Sequence, residues 1–145
     1  SAREYLHKAL TAMVPKAPPK VHWGGFQALA RVRVGKQVYR IHSFHGAGGG
    51  VTESSITNGL RRQAQIAEAD IYLRGHHHKK LAFNGGRAVW RDGDKVEYRK
   101  VYYIATGCYL GYDGSYGELK GYVPTTGGMT RVKLYSDHWG VEASV

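Results

Sequence analysis

Three consecutive histidines are the residues in this sequence best suited to do chemistry. His76, His77 and His78 follow a glycine in the segment IYLRGHHHKK, residues 71–80. Imidazole is the commonest metal ligand in proteins and suits zinc, manganese and iron, so the run is a candidate metal site. A purification tag would be terminal, whereas this run lies inside the chain. A polar surface loop is the competing interpretation, because histidine is often exposed.

The spacing of the run predicts which histidines act together. The segment DIYLRG is typical of a strand that continues into a loop, and in an extended chain successive side chains point to opposite sides. On that premise His76 and His78 share one side, while His77 points away. We therefore predict His76 and His78 as metal ligands and assign His77 to substrate binding.

A third ligand is expected at the end of an earlier strand. Residues 37–74 run from a strand through the glycine-rich loop HGAGGG and a helix to a second strand, which is the pattern of a βαβ unit. The two parallel strands of such a unit end at the same edge of the sheet, where open α/β sheets bind ligands. His45 begins the loop, so we predict it beside His76 and His78 as the third metal ligand.

The other histidines carry no comparable pattern. His42 lies on the same strand as His45, and its side chain faces the opposite side, so we expect it within the sheet packing. His7, His22 and His138 have no converging partners in the sequence.

The glycine-rich loop HGAGGG raises the question of a phosphate cradle. It has neither the Lys-Ser or Lys-Thr of a P-loop nor the glycine spacing of a dinucleotide fingerprint. We predict that its glycines let the backbone turn tightly beside a metal. We assign Gly46 and Gly48 to substrate contact, through backbone N–H groups that can bind phosphate.

The remaining elements are predicted from periodicity. A helix is predicted at residues 2–14, and a hairpin of two strands at 28–44 turns on the Gly-Lys pair. A second helix with a basic outer face is predicted at 54–69. Antiparallel strands should come next, interrupted by turns at Gly-Gly and Asp-Gly, and the strand MTRVKLYS should be the last.

Composition limits the classes of function. The 145 residues suit one domain, residues 1–145, and 21 Lys and Arg against 11 Asp and Glu give a formal charge of +10. That balance favours polyanionic partners, although a basic protein without such partners is the alternative. The single cysteine, Cys108, excludes an internal disulfide framework, and no apolar run approaches the roughly 18 residues of a membrane span. We therefore expect a cytoplasmic protein without a membrane partner.

The histidine motifs carry a resemblance to a known family. FHGAGGG, then a helix, then ADIYLRGHHH resembles the C-terminal half of a calcineurin-like metallophosphoesterase of the phage and bacterial type. His45 matches the isolated histidine motif and GHHH matches the Gly-His-x-His motif. The segment YYIATGCYLGYDGSYGELKGYVPTTGG is similar to the stretch that family members carry after that motif, so the resemblance spans nearly the whole chain.

The resemblance implies a fold, cofactors and an activity. The fold is an α/β protein, namely the C-terminal half of an αββα sandwich with a mixed sheet in which a βαβ unit precedes antiparallel strands. Two divalent metal ions (Mn, Fe or Zn) would be bound, one by His45 and His76 and the other by His78. The implied activity is a metal-dependent phosphodiesterase or nuclease, with DNA or RNA as a candidate substrate.

The sequence also departs from the family. No stretch matches the upstream motifs Asp-x-His, Gly-Asp-x-x-Asp and Gly-Asn-His-Asp/Glu, and Asp137 in SDHWG is adjacent to His138 instead of two residues away. We therefore expect the N-terminal half of the same domain, or a second chain, to supply the Asp, Asn and His ligands. The chain alone should be inactive.

Two other hypotheses compete with the phosphoesterase. The domain could be a catalytically inactive, basic nucleic-acid-binding or assembly module, whose tyrosines among lysines and arginines would stack on bases. These tyrosines are Tyr102, Tyr103, Tyr109, Tyr112, Tyr116 and Tyr122, and the alternative is that they pack a sheet. A third hypothesis is a single zinc held by three histidines and a water.

Overall fold

The computed structural model describes residues 21–24, 26–50 and 52–145. The helix predicted at residues 2–14 and His7 lie outside them. The strands are β1 (Val21–Gly24), β2 (Gln27–Val34), β3 (Gln37–Phe44), β4 (Ile71–Arg74), β5 (Lys80–Arg91), β6 (Lys95–Cys108), β7 (Gly128–Met129), β8 (Arg131–Leu134) and β9 (Val141–Ser144), and the helices are α1 (Glu53–Gln63) and α2 (Tyr116–Leu119).

Most strands form one mixed, seven-stranded sheet in the order β1-β2-β3-β4-β6-β5, with β7 paired to β6. The predicted hairpin is confirmed, since β2 and β3 are antiparallel and pair Val34 with Gln37 across the Gly-Lys turn. The βαβ unit is also confirmed, because β3 and β4 are parallel neighbours that pair Phe44 with Arg74 at their carboxyl ends.

Helix α1 covers one face of the sheet. Thr52 caps it by accepting a hydrogen bond from the Ser55 N–H, and Ile56 and Leu60, one turn apart, are completely buried. The basic outer face is confirmed, since Arg61 and Arg62 are exposed. The helix ends at Gln63, several residues before the predicted end at 69.

The end of α1 is fixed to the strands of the βαβ unit. The buried Gln63 side chain donates hydrogen bonds from Nε2 to the carbonyls of His42 and Leu73, at 3.2 and 3.0 Å. A donor shared between β3 and β4 holds the helix over both strands. The loop before the helix is therefore placed over the carboxyl ends of these strands.

A two-stranded sheet of β8 and β9 covers the opposite face. Tyr39, Ile71 and Ile104 pack there with Val141 of β9. The prediction that MTRVKLYS is the last strand was wrong. The strand is interrupted at Thr130, β8 follows it, and after a turn the chain returns as β9, which is the last strand. The short segment at 141–144 pairs with Arg131–Leu134 instead of extending the main sheet.

The predicted turn at Gly85 and Gly86 was also wrong. Both glycines lie inside β5 and pair with Val101 and Lys100 of β6, so the strand is continuous over twelve residues. Pairing with β6 before and after these glycines keeps the backbone extended through them. The Asp-Gly turn after Arg91 forms as predicted.

The protein is therefore α/β, with a mixed sheet and with more strands than helices among the described residues. Neither α1 nor α2 is long and apolar enough to cross a bilayer, and this holds for the described residues.

Candidate functional site

The carboxyl ends of β3 and β4 bring two of the predicted ligands together. The His45 and His76 rings lie with their centroids 5.4 Å apart and nearly perpendicular. Gly75 makes this approach possible, because a Cβ at that position would lie 3.3 Å from the His45 carbonyl oxygen and 3.6 Å from its Nδ1. The parallel register predicted from the sequence thus places these two imidazoles side by side.

The histidine run itself is not extended. His76 and His78 have φ angles of 73° and 56°, in the left-handed region, and no β-strand includes residues 75–79. The premise that side chains 76 to 78 alternate is therefore wrong. The backbone bends there, with the His77 N–H donating to the Gly75 carbonyl at 2.9 Å, and all three histidines face a common cavity.

A hydrogen bond fixes the tautomer of His76. Its Nε2 lies 3.0 Å from the carbonyl oxygen of Gly48, and since a carbonyl can only accept, Nε2 carries the proton. In the tautomer with the proton on Nε2, Nδ1 is the nitrogen with a free lone pair. Metal-binding histidines are oriented by this kind of bond from the other ring nitrogen to a carbonyl.

His77 lies in the least solvated position of the three. Burial lowers the pKa of His77, and the nearby positive charge of Arg74 lowers it further, against a smaller opposite effect from a backbone hydrogen bond with Gly50. The ring is therefore neutral at pH 7 and has one accepting nitrogen. This position beside the cavity is compatible with its assignment to substrate.

The two glycines assigned to substrate occupy different positions. Gly48 has φ of 106°, accepts the bond from His76 through its carbonyl and lies on the cavity wall. Gly46, with φ of 93°, lies against the Arg74 side chain, whose Nε would be 3.0 Å from an added Cβ. Gly48 thus shapes the cavity, whereas Gly46 makes room for a guanidinium.

Arg74 is a buried cation that the sequence motifs did not single out. Its side chain is enclosed by Phe44, Gly46 and Gly59, Nη2 donates to the Ala47 carbonyl at 3.0 Å, and Nε has no hydrogen-bond partner among the described residues. Burial lowers the pKa of Arg74, and the charge of Arg62 adds to that effect. An arginine at the end of the otherwise apolar strand IYLR was the available signal.

A cavity of about 490 Å³ adjoins the histidine run. The run and the glycine loop contribute one part of its wall, and the segment after β6 contributes the other. The lining includes Gly48, Gly49, His76, His77, His78 and Lys79, together with Cys108, Leu110, Tyr112, Tyr116, Tyr122 and Val123. Its size is within the range of small-molecule sites.

The tyrosines named in the nucleic-acid-binding hypothesis divide into two groups. Tyr103 stacks between Tyr72 and Phe83, at centroid distances of 5.6 and 4.8 Å, and therefore packs the sheet. Tyr109, Tyr116 and Tyr122 are exposed by 78%, 58% and 41%. Sheet packing thus explains Tyr102 and Tyr103, and the three exposed tyrosines after β6 remain accessible to a ligand.

Two other histidines lie away from the cavity. His42 is buried in the sheet packing, as predicted, with its Nε2 2.8 Å from Gln27 Oε1 and its ring edge-on to Tyr72. His138 is exposed in the turn between β8 and β9, where its Nδ1 lies 2.9 Å from the Asp137 carboxylate.

The described residues fit part of a metal site. His45 and His76 are close enough for two imidazoles of one cation, with a lone pair available on His76. Among the described residues, no three His, Cys, Asp or Glu side chains form a group that could hold a metal ion. Among the described residues, the two imidazoles would therefore need further ligands to hold a cation.

Comparisons of the chain with models of protein families, with curated proteins and with solved structures found no match.

Proposed function

We propose that this chain is the histidine-bearing part of a metal-dependent phosphoesterase, a hydrolase of the phosphodiesterase or nuclease type. The observation that carries the proposal is the His45–His76 pair at the carboxyl edge of two parallel strands. Two imidazoles brought together from the ends of two separate strands, one of them oriented by a backbone carbonyl, are what a ligand pair requires.

In this proposal His45 and His76 bind one divalent cation and His78 binds a second, with manganese, iron or zinc as the ions. Such cations activate water and neutralise charge on phosphoryl oxygens. The residues of this chain orient the ligand nitrogens: Gly48 fixes the His76 ring, and the glycine at position 75 admits His45. His77, Gly46 and Gly48 are the proposed substrate contacts.

A partner is part of the proposal, because imidazoles alone leave the charge of two cations uncompensated. The N-terminal half of the same domain, or a second chain, would supply Asp, Asn and His ligands. The exposed side chains of the β5–β6 hairpin support this. Trp90, Val96 and Tyr98 share a sheet face with Ile104, which β8 and β9 cover, yet they are 72%, 43% and 82% exposed.

The test uses ¹³C-labelled histidine in the isolated chain. Titration with Mn²⁺ should broaden the imidazole signals of His45 and His76 before that of His138, which serves as the control. His45→Ala should remove the effect at His76. Equal broadening of all histidines at the same Mn²⁺ concentration would contradict the ligand pair.

Hydrolysis is tested with bis-p-nitrophenyl phosphate. The chain alone should show negligible turnover, whereas co-expression with the polypeptide encoded directly upstream in its gene should give a metal-dependent rate. His45→Ala and His76→Ala should each lower that rate on the order of a hundredfold, because a ligand loss misplaces the reacting groups. A rate typical of a complete enzyme from the isolated chain would contradict the need for a partner.

A second candidate function is the inactive, basic nucleic-acid-binding or assembly module. The exposed Tyr109, Tyr116 and Tyr122 favour it, because exposed aromatic rings in a basic protein can stack on bases. Salt-sensitive DNA binding without metal-dependent cleavage, in the presence of the partner, would favour the module over the enzyme.

A further inference from the structure

The cavity beside the histidine run has two chemically different walls. The first carries polar groups: the three histidines, the Lys79 ammonium and the Gly48–Gly49 backbone. The second, contributed by residues after β6, carries Leu110, Val123 and tyrosine rings. A ligand that fills both parts therefore has a polar, anionic end and an apolar end.

The aromatic wall is held in place by its own contacts. The Tyr112 hydroxyl donates to the Tyr122 carbonyl at 2.8 Å, which ties the two sides of the loop around α2. The Tyr116 and Tyr122 rings meet edge to face at 6.2 Å, and the Lys120 ammonium lies 5.6 Å from the Tyr116 ring centre. The wall thus presents fixed rings with a cation close to them.

We propose that this cavity binds a nucleoside phosphate, with the base against Tyr116 and Tyr122 and the phosphate at the histidine run. Stacking on tyrosine suits every base, because each base has a π-face. Lys79 supplies the charge opposite to phosphate, and the chain's net charge of +10 draws anions towards it. The cavity of about 490 Å³ suits one nucleotide in size.

The assignment of the phosphate end rests on the proposed phosphoesterase function, because it places the scissile group beside the proposed metal ligands of the histidine run. The base end rests on the tyrosine wall alone. The same nucleotide can be a free mononucleotide or the terminal unit of a strand. The experiment distinguishes these sources.

The experiment is calorimetric titration of the full chain, with EDTA present so that no metal contributes. AMP should bind about tenfold more tightly than ribose 5-phosphate, because the base adds one stacking interaction. AMP should also bind more tightly than phenyl phosphate, whose smaller ring fills less of the wall. AMP binding no tighter than ribose 5-phosphate, or phenyl phosphate binding as tightly as AMP, would overturn the proposal.

Substitutions locate the site. Tyr122→Leu should weaken AMP binding about tenfold, while Tyr122→Phe, which retains the ring, should stay within about twofold of the wild type. Tyr98→Leu is the matched control, because Tyr98 is an exposed tyrosine on the β5–β6 hairpin and is not part of the cavity lining. Equal loss for Tyr98→Leu and Tyr122→Leu would overturn the assignment. If Tyr122→Leu does not fold, the comparison of AMP with ribose 5-phosphate on the wild-type chain still decides.

Two further results separate the proposals from each other. AMP binding that depends on Tyr122, without selective Mn²⁺ broadening at His45 and His76, would support the cavity and contradict the phosphoesterase. Selective Mn²⁺ broadening at His45 and His76, with no preference for AMP over ribose 5-phosphate, would support the phosphoesterase and contradict nucleotide binding in the cavity. A 5′-phosphorylated adenylate dinucleotide that binds more tightly than AMP supports a strand end as the source, and equal binding supports the free mononucleotide.

Discussion

The two ends of the β3–β4 pair each carry an arginine, half-buried Arg40 at one end and buried Arg74 at the other, and the two differ in how their charge is compensated. Arg40, near the amino end of β4, donates from Nε and Nη2 to both oxygens of the buried Asp70, at 3.2 and 2.9 Å, and its hydrogen bond with Asp70 raises the pKa of Arg40. Arg74, at the carboxyl end, has Nε without a partner among the described residues, and burial lowers its pKa.

The difference between the two arginines is one of role: the charge of Arg40 stabilises the fold by pairing with Asp70, whereas the charge of Arg74 is available for function. At the amino end the buried Asp70 carboxylate is matched by Arg40, whose backbone N–H also donates to it. At the carboxyl end the fold keeps a desolvated cation, two left-handed histidines and a cavity. Unmatched and strained groups cluster at functional sites, which agrees with the proposed position of the site.

The largest predicted effect is at the matched end. Arg40→Met leaves the Asp70 carboxylate buried without its guanidinium, so the free energy of unfolding should fall by about 3 kcal/mol. Urea denaturation measures it. Glu68→Gln is the control, since Glu68 is an exposed partner of Arg40 and its loss should cost less than about 1 kcal/mol. Equal losses for the two variants would mean that Asp70 does not depend on Arg40.

A second prediction concerns protonation of His42, which lies on β3 between the two arginines. Burial lowers the pKa of His42, so the unfolded chain binds the proton more tightly than the folded one. Stability should be complete above the unfolded pKa of about 6.5 and fall below it, with a slope of at most about 1.4 kcal/mol per pH unit. Urea midpoints of wild type and His42→Gln between about pH 5 and 8 measure the contribution. Identical pH dependence in both would exclude His42 as its source.

At the carboxyl end of the β3–β4 pair, a substitution of Arg74 should change the free energy of unfolding less than Arg40→Met does, and in the opposite direction. Arg74→Met removes a desolvated charge, so the free energy of unfolding should stay unchanged or rise by up to about 1 kcal/mol. Urea denaturation beside Arg40→Met measures the contrast. A loss as large as that of Arg40→Met would show that the folded chain does provide a partner for Arg74, and the comparison of the two ends would fail.

The smallest predicted effect probes the bend in the histidine run. His76→Gly removes the left-handed strain of a residue with φ of 73°, which offsets the flexibility that glycine gives the unfolded chain, so stability should change little. His77→Gly, at a position without positive φ, gains no such relief and should lose about 0.5 kcal/mol. Thermal denaturation of both variants gives the difference. A larger loss for His76→Gly would show that the Gly48 hydrogen bond outweighs the strain.

The sequence predicted the part of the site that depends on local periodicity and on the handedness of βαβ units. The apolar spacing of Ile56 and Leu60 indicated the helix and its buried face, and the pattern of β3, loop, helix and β4 indicated that His45 and His76 would meet. These features are encoded within about 40 residues by rules that hold for any strand and helix. The end of α1 was predicted too late because the sequence did not show that Gln63 would be bound by two carbonyls of the sheet.

Only the tertiary structure decided how the histidines are presented and what faces them. The run bends because Gly48, from a loop 28 residues earlier, accepts the His76 hydrogen bond, and alternation could not indicate that contact. The cavity exists because the segment after β6 lies beside the run. The Arg74 Nε lacks a partner in the described part of the chain because it is enclosed by Gly46, Gly59 and Phe44. The sequence by itself determined that β2, β3, α1 and β4 form and that the carboxyl ends of β3 and β4 coincide. Left-handed backbone, burial and the lining of the cavity depend on contacts between distant segments, and only the folded chain determines those.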